Sequence, residues 1–355
     1  MKKIFALLWF SIVIVTSVCC VLIYSDVSGG SNANVINTTQ APTSTLYSVS
    51  DSGSYEKPTL PTVEPILRPS RSGGATDNRM AALEEPSGSG TYISSSEASE
   101  QYKDETEDTG KITEYVFPEE MYPYRAMLTA DQQSAYDRIY TSAMMCVQEC
   151  RLYEGVSKDG IGDVMLAIYN DHPELFWISK KYSYKYSDSG RVISVKINFN
   201  ETVNDLNNAL NSFNREANAI IEEASRLEGD EAKERYVYAA IIDSVEPVKE
   251  AQLNQSAYSA IVNKESVCAG YSRAFQYIMQ KLDIPCYFCS GYANGGNHAW
   301  NIVKIDGEYY NVDISWDDEL GMKDDGTYRY YNVKDDKFSV RHTRRDLSIL
   351  LPKCE

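Results

Sequence analysis

From residue 115 onward the chain alternates between two periods of apolar residues, one helical and one extended. Thr129, with Gln132 three residues on, fits a capping box. Beyond it Tyr136, Ile139, Tyr140, Ala143, Val147 and Cys150 share one helical face, with Gly155 as the expected stop. Val164 to Tyr169 predicts a short helix closed by His172-Pro173. Tyr182–Tyr186 and Val192–Phe199 flank Ser187-Asp188-Ser189-Gly190 and predict a hairpin. Val203, Leu206, Leu210, Phe213, Ala217, Ile220, Ala224 and Leu227 mark a long amphipathic helix ending at Gly229, and a second helix follows over about Glu231–Val245.

The N-terminal third has neither period. Lys2 and Lys3 precede an uncharged apolar run, Ile4 to Tyr24, whose 21 residues span roughly 30 Å at helical rise. Residues 1–24 read as a transmembrane anchor with the lysines in the cytoplasm, the alternative being a cleaved signal peptide. Either way the remainder is expected outside the membrane, on the cell surface or secreted. Residues 25–114 are rich in Ser, Thr, Gly, Pro and acidic residues, and read as a disordered stalk. Residues 115–245 form a helical and hairpin scaffold, and 246–355 the region with candidate chemistry.

The net charge of −17 argues against nucleic acid as a partner, because phosphate binding needs clustered Lys and Arg. Eight cysteines in 355 residues are too sparse for a disulfide scaffold. Cys286 and Cys289 have redox or zinc spacing, but IPCYFCSGY reads as a strand that turns them to opposite faces, and no second pair completes a zinc site. Cys146 and Cys150 stand one helical turn apart and are expected to pack. Asp317, Asp318, Asp324 and Asp325 lack calcium-loop spacing and read as a solvated acidic turn. Neither a metal nor a cofactor is expected.

The chemistry gathers between Asn254 and Asp318. Ser266 is a candidate N-cap for a helix carrying Ala274, Phe275, Ile278, Met279 and Leu282, which puts Cys268 in the first turn. The unpaired N–H groups and dipole there favour a thiolate and could hold an oxyanion. Downstream, Asp306-Gly307 signals a two-residue hairpin turn. In that register Ile305 opposes Glu308 and Trp300 opposes Asp313, so Asp313 and His298 share a face within hydrogen-bond reach. Of the other histidines, His172 precedes Pro173 in a structural turn, and His342 lies in the basic stretch Arg341–Arg345 and reads as solvated. Cys268, His298 and Asp313 thus form a nucleophile, base and orienting carboxylate.

The segments VCAGYSRAF at 267–275 and HAWNIVKIDGEYYNVDISWDD at 298–318, with their spacing, resemble the transglutaminase-like superfamily. The resemblance covers residues 254–318, and is fainter over 125–250 and 328–333, where DHPELFW at 171–177 is similar to exported bacterial members. It implies an α+β, papain-like core in which the cysteine helix packs on an antiparallel sheet bearing His and Asp. It places Cys268, His298 and Asp313 at the triad positions and leaves the oxyanion side chain to Gln255 or Tyr258. The function expected is a thiol acyltransferase or hydrolase acting on polypeptide or cell-wall peptide amides through a thioester. The alternative is a non-catalytic surface adhesion or binding module on the same fold.

Overall fold

The computed structural model describes residues 83–94, 96–97 and 115–355. The apolar run Ile4–Tyr24 and most of the 25–114 stretch lie outside the described residues. Among the described residues, no helix is long and apolar enough to cross a membrane.

The fold mixes helices with two four-stranded sheets. The first sheet holds β1 (Ser87–Tyr92), β2 (Glu149–Arg151), β3 (Ile178–Tyr186) and β4 (Val192–Phe199) in the order β1-β3-β4-β2. The 178–199 hairpin forms as predicted, with Gly190 in the left-handed conformation that its turn requires. β1 corrects the reading of 25–114 as disordered throughout. Its SGSGTY segment, poor in apolar residues, forms an edge strand parallel to β3. What the sequence could not display is its partner, about ninety residues downstream.

Helix α1 (Ala130–Met144) opens on the Thr129–Gln132 capping box. It buries Tyr136, Ile139, Tyr140 and Ala143, but ends well short of Gly155. Cys146 takes a positive φ of 55° just past the helix. Val147 is exposed, and Cys150 pairs with Val195 in β2 rather than stacking on Cys146. Helix α2 (Ile161–Asp171) ends at His172 as expected. A 3-10 turn over Glu201–Asp205 leads into α3 (Leu206–Ser225), which buries Ala209, Phe213, Ala217 and Ala224. Helix α4 (Asp230–Ser244) follows Gly229.

Helix α5 (Cys268–Lys281) then packs on the second sheet, which consists of β5 (Cys286–Ala293), β6 (Gly296–Ile305), β7 (Glu308–Val312) and β8 (His342–Arg344). Their order is β8-β5-β6-β7, with every pairing antiparallel. Asp306 and Gly307 both have positive φ, 51° and 87°, as a type I′ turn demands. The turn sets Ile305 opposite Glu308, in the predicted register. One apolar core joins the two sheets, running from Tyr136 and Trp177 through Phe275 and Ile278 to Trp300 and Ile302.

Candidate active site

Cys268 is the first residue of α5 and is fully buried. The N-cap is Val267 rather than Ser266. Ser266 lies in a two-residue parallel pairing with Glu246–Pro247, and its hydroxyl donates to the Asn254 carbonyl at 2.6 Å. The helix therefore starts one residue later, with the thiol on its opening turn, where the helix dipole favours an anion.

β6 ends its pairing with β7 at Asn301–Val312. Asp313 leaves the ladder there and caps the next helix, α6 (Ile314–Leu320), instead of continuing the strand. Its side chain accepts four hydrogen bonds. Oδ1 takes the Ser315 hydroxyl at 2.8 Å and the Trp316 N–H at 3.1 Å, and Oδ2 takes Nε2 of His298 at 2.7 Å and Nε2 of His342 at 3.0 Å. A carboxylate offers about four acceptor sites, so this one is saturated.

His298 is buried at the start of β6, bonds Asp313, and lies near enough to Cys268 for the thiol to act on its charge. With Nε2 committed to Asp313, Nδ1 is the nitrogen available to the thiol. Burial works against a charged imidazole here, but the Asp313 carboxylate and the Cys268 thiol outweigh it and lift His298 to about 10. Burial alone would raise Asp313. The charge and hydrogen bond of His298, with the hydrogen bond of His342, instead drive it well below the usual carboxylate range.

His342 corrects the reading of the basic tail as solvated. It is 3% exposed on β8, stacked on Phe338 at 3.9 Å and packed by Trp316 at 4.5 Å and Trp300 at 5.1 Å. Burial lowers its proton affinity against the pull of Asp313, so it serves as a neutral donor. The available signal was alternation: Arg341 and Thr343 are exposed on either side of it, the period of a half-buried strand.

His298, Asp313 and His342 offer ligand atoms within 4.8 Å of one another, close enough for a metal ion. Here both imidazoles direct Nε2 at one carboxylate oxygen, so these atoms are joined by hydrogen bonds.

Asp317 departs from the predicted acidic turn. It is buried in α6 and receives the Tyr238 hydroxyl at 2.5 Å and the N–H groups of Arg329 and Tyr330. The two oxyanion candidates separate. Tyr258 packs on Phe176 and Phe213, with ring centroids 4.7 and 6.4 Å away. Gln255 lines a cavity of about 350 Å³ together with Lys180, Arg273 and Glu84. Burial and Arg273 lower Lys180 to about 7, while the acidic groups nearby and Cys268 oppose the fall. Lys180 therefore stands within electrostatic reach of the thiol.

Residues 217–314 match the model of the Transglutaminase-like superfamily. A comparison with curated protein sequences finds no match. Among solved structures, the chain aligns with a crystal structure of a TGase at 15% identity and a TM-score of 0.26, over 39% of this chain and 44% of that one. It also aligns with a candidate cysteine protease from Cytophaga hutchinsonii at 18% identity and a TM-score of 0.27, over 35% of this chain and 51% of the other. The chain thus spans about half or less of the length of these structural relatives. The region that holds Cys268, His298 and Asp313 is a transglutaminase-like domain.

Proposed function

We propose that this protein is a thiol enzyme with a papain-like core, acting on peptide or side-chain amides through a thioester, with Cys268 as nucleophile, His298 as base and acid, and Asp313 as the orienting carboxylate. The observation that carries the reading is the placement of one imidazole between a carboxylate and a thiol that opens a helix. His298 exchanges a proton with the thiol, and the thiolate attacks the amide carbonyl carbon. N–H groups of the first turn of α5 receive the oxyanion. The C–N bond breaks as the imidazolium gives its proton to the leaving nitrogen. Water or an amine then attacks the thioester, losing its proton to His298, and the C–S bond breaks to restore the thiol.

Polypeptide or cell-wall peptide is the substrate class proposed. The apolar run Ile4–Tyr24 supports a placement outside the membrane, anchored or secreted. A second reading, a non-catalytic binding module, draws on one fact: Cys268 is wholly covered. The test is to incubate the protein with a peptide library, with and without a primary amine, and to compare products with those of Cys268→Ala by mass spectrometry. Products that require Cys268 support the enzyme, and amine incorporation assigns transfer rather than hydrolysis. New products formed equally by both proteins would remove Cys268 as nucleophile.

A further inference from the structure

Part of what packs against Cys268 comes from a remote stretch of the chain. Leu83 is 3% exposed and packs in one apolar cluster with Cys268, Ala269, Phe288 and Ala299. Its neighbours are held by their main chain. The Glu84 N–H donates to Gln255 Oε1 at 2.8 Å, and Lys180 Nζ donates to the Glu84 carbonyl at 2.6 Å and to the same Gln255 oxygen at 2.7 Å. Asn297 Nδ2 reaches the Leu83 carbonyl at 3.5 Å. Arg345, itself bonded to Asn297 Oδ1 at 3.0 Å, forms an ion pair with Glu85. These groups bracket His298 and Cys268 in sequence, and all four polar contacts to residues 83–85 read backbone or a carboxylate. They would serve any extended peptide presenting an apolar residue followed by an acidic one two positions on.

The strand that follows is attached lightly. Pro86, which has no N–H to give a ladder, marks the change from cleft to sheet. All six residues of β1 are exposed. Gly88 pairs with Tyr182 and Gly90 with Tyr184. A Cβ on Gly88 would come within 2.5 Å of the Tyr182 ring, and one on Gly90 within 2.8 Å of the Tyr184 ring. The two glycines therefore fix the register by letting the strand lie on a row of tyrosines, which Tyr92 ends against Tyr186 at 6.1 Å. This is an extended peptide added to a sheet edge, a recurrent mode of peptide recognition.

We propose that residues 83–92 are a peptide ligand carried in cis: β1 docks on the edge of β3 and lays Leu83–Glu85 across Cys268, in the subsite that an extended polypeptide substrate with the same apolar–x–acidic pattern would occupy. The substrate identity rests on the reading of Cys268 as nucleophile, whereas the docking and shielding do not. The strap makes the thiol inaccessible until it is displaced.

The test is iodoacetamide labelling of Cys268 near neutral pH, followed by mass spectrometry on the full chain. Gly88→Leu with Gly90→Leu should undock the strand; because Tyr182 also packs in the core, circular dichroism and thermal unfolding check that the fold is kept. Labelling should rise about tenfold or more as the open state becomes populated. Glu85→Gln, a partly exposed change that breaks the pair with Arg345 without adding a positive charge beside the thiol, should move it the same way. A synthetic peptide of residues 83–92, added to the undocked variant, should slow labelling again, and the same peptide with Leu83→Glu should not. Unchanged labelling in both variants overturns the proposal, as does faster labelling that the peptide leaves unaffected. Labelling that rises on undocking but is indifferent to an added His298→Ala upholds the strap and counts against the nucleophile reading alone.

Discussion

His298 and His342 donate to the same oxygen of Asp313, at 2.7 and 3.0 Å, from β6 and β8, the two strands that flank β5. The two rings stand 5.6 Å apart. One is poised against the thiol, and the other fixes the carboxylate from behind. His342→Ala should destabilise the fold by about 2–4 kcal/mol, combining a lost hydrogen bond to a charged group with a cavity beside Phe338 and Trp316. Denaturant unfolding measures this. A positioning role adds a lower turnover with little change in KM, partly rescued by His342→Gln.

The pH profile reports the pair. His298 holds its proton up to about 10, so the acid needed by the leaving nitrogen is present below that value and lost above it. Activity should therefore persist to an alkaline limb near pH 10. Asp313→Asn removes the charge that opposes desolvation, so the limb should drop by several pH units and turnover by on the order of a hundredfold or more. A limb that stays in place would show that Asp313 does not hold the imidazole.

Folding stability should fall as pH rises through neutrality. Burial lifts Asp171, Glu234 and Asp317 each to about 7. Between the ordinary carboxylate range and pH 7 the folded chain thus binds more protons than the unfolded one, and stability declines. His298 acts in the same sense: its contribution is complete below the ordinary value of 6.5 and is lost towards 10. Thermal unfolding should come about 5 °C or more higher at pH 5 than at pH 8. Glu234→Gln should shrink the difference.

Thr129→Ala removes the hydroxyl half of the capping box on α1, the acceptor for the Gln132 N–H, and keeps the Thr129 N–H on Gln132 Oε1. It should cost about 1 kcal/mol, with activity unchanged, because the helix packs away from Cys268. Chemical denaturation with an activity assay alongside separates the two.

Local chemistry made much of this legible. The Asp306-Gly307 turn fixed a register, and the register brought His298 to Asp313. Helix periods over 130–144 and 206–225 likewise matched buried faces. What escaped was long-range. Asp313 turned out to be a helix cap, a role that depends on where the strand lets go. His342 looked solvated among arginines, because only the assembled sheet places it against Asp313. SGSGTY looked like linker, because glycines that match a distant tyrosine row carry no period of their own.

Acyl-enzyme trapping decides whether Cys268 is the nucleophile and His298 its base. The undocked Gly88→Leu/Gly90→Leu protein is mixed with an activated ester of an apolar–x–acidic peptide, quenched in acid and mapped by mass spectrometry. One acyl group on Cys268, absent from Cys268→Ala and formed at least about a hundredfold more slowly in His298→Ala, is the predicted result. Acylation at another residue, or at Cys268 with no dependence on His298, would contradict it.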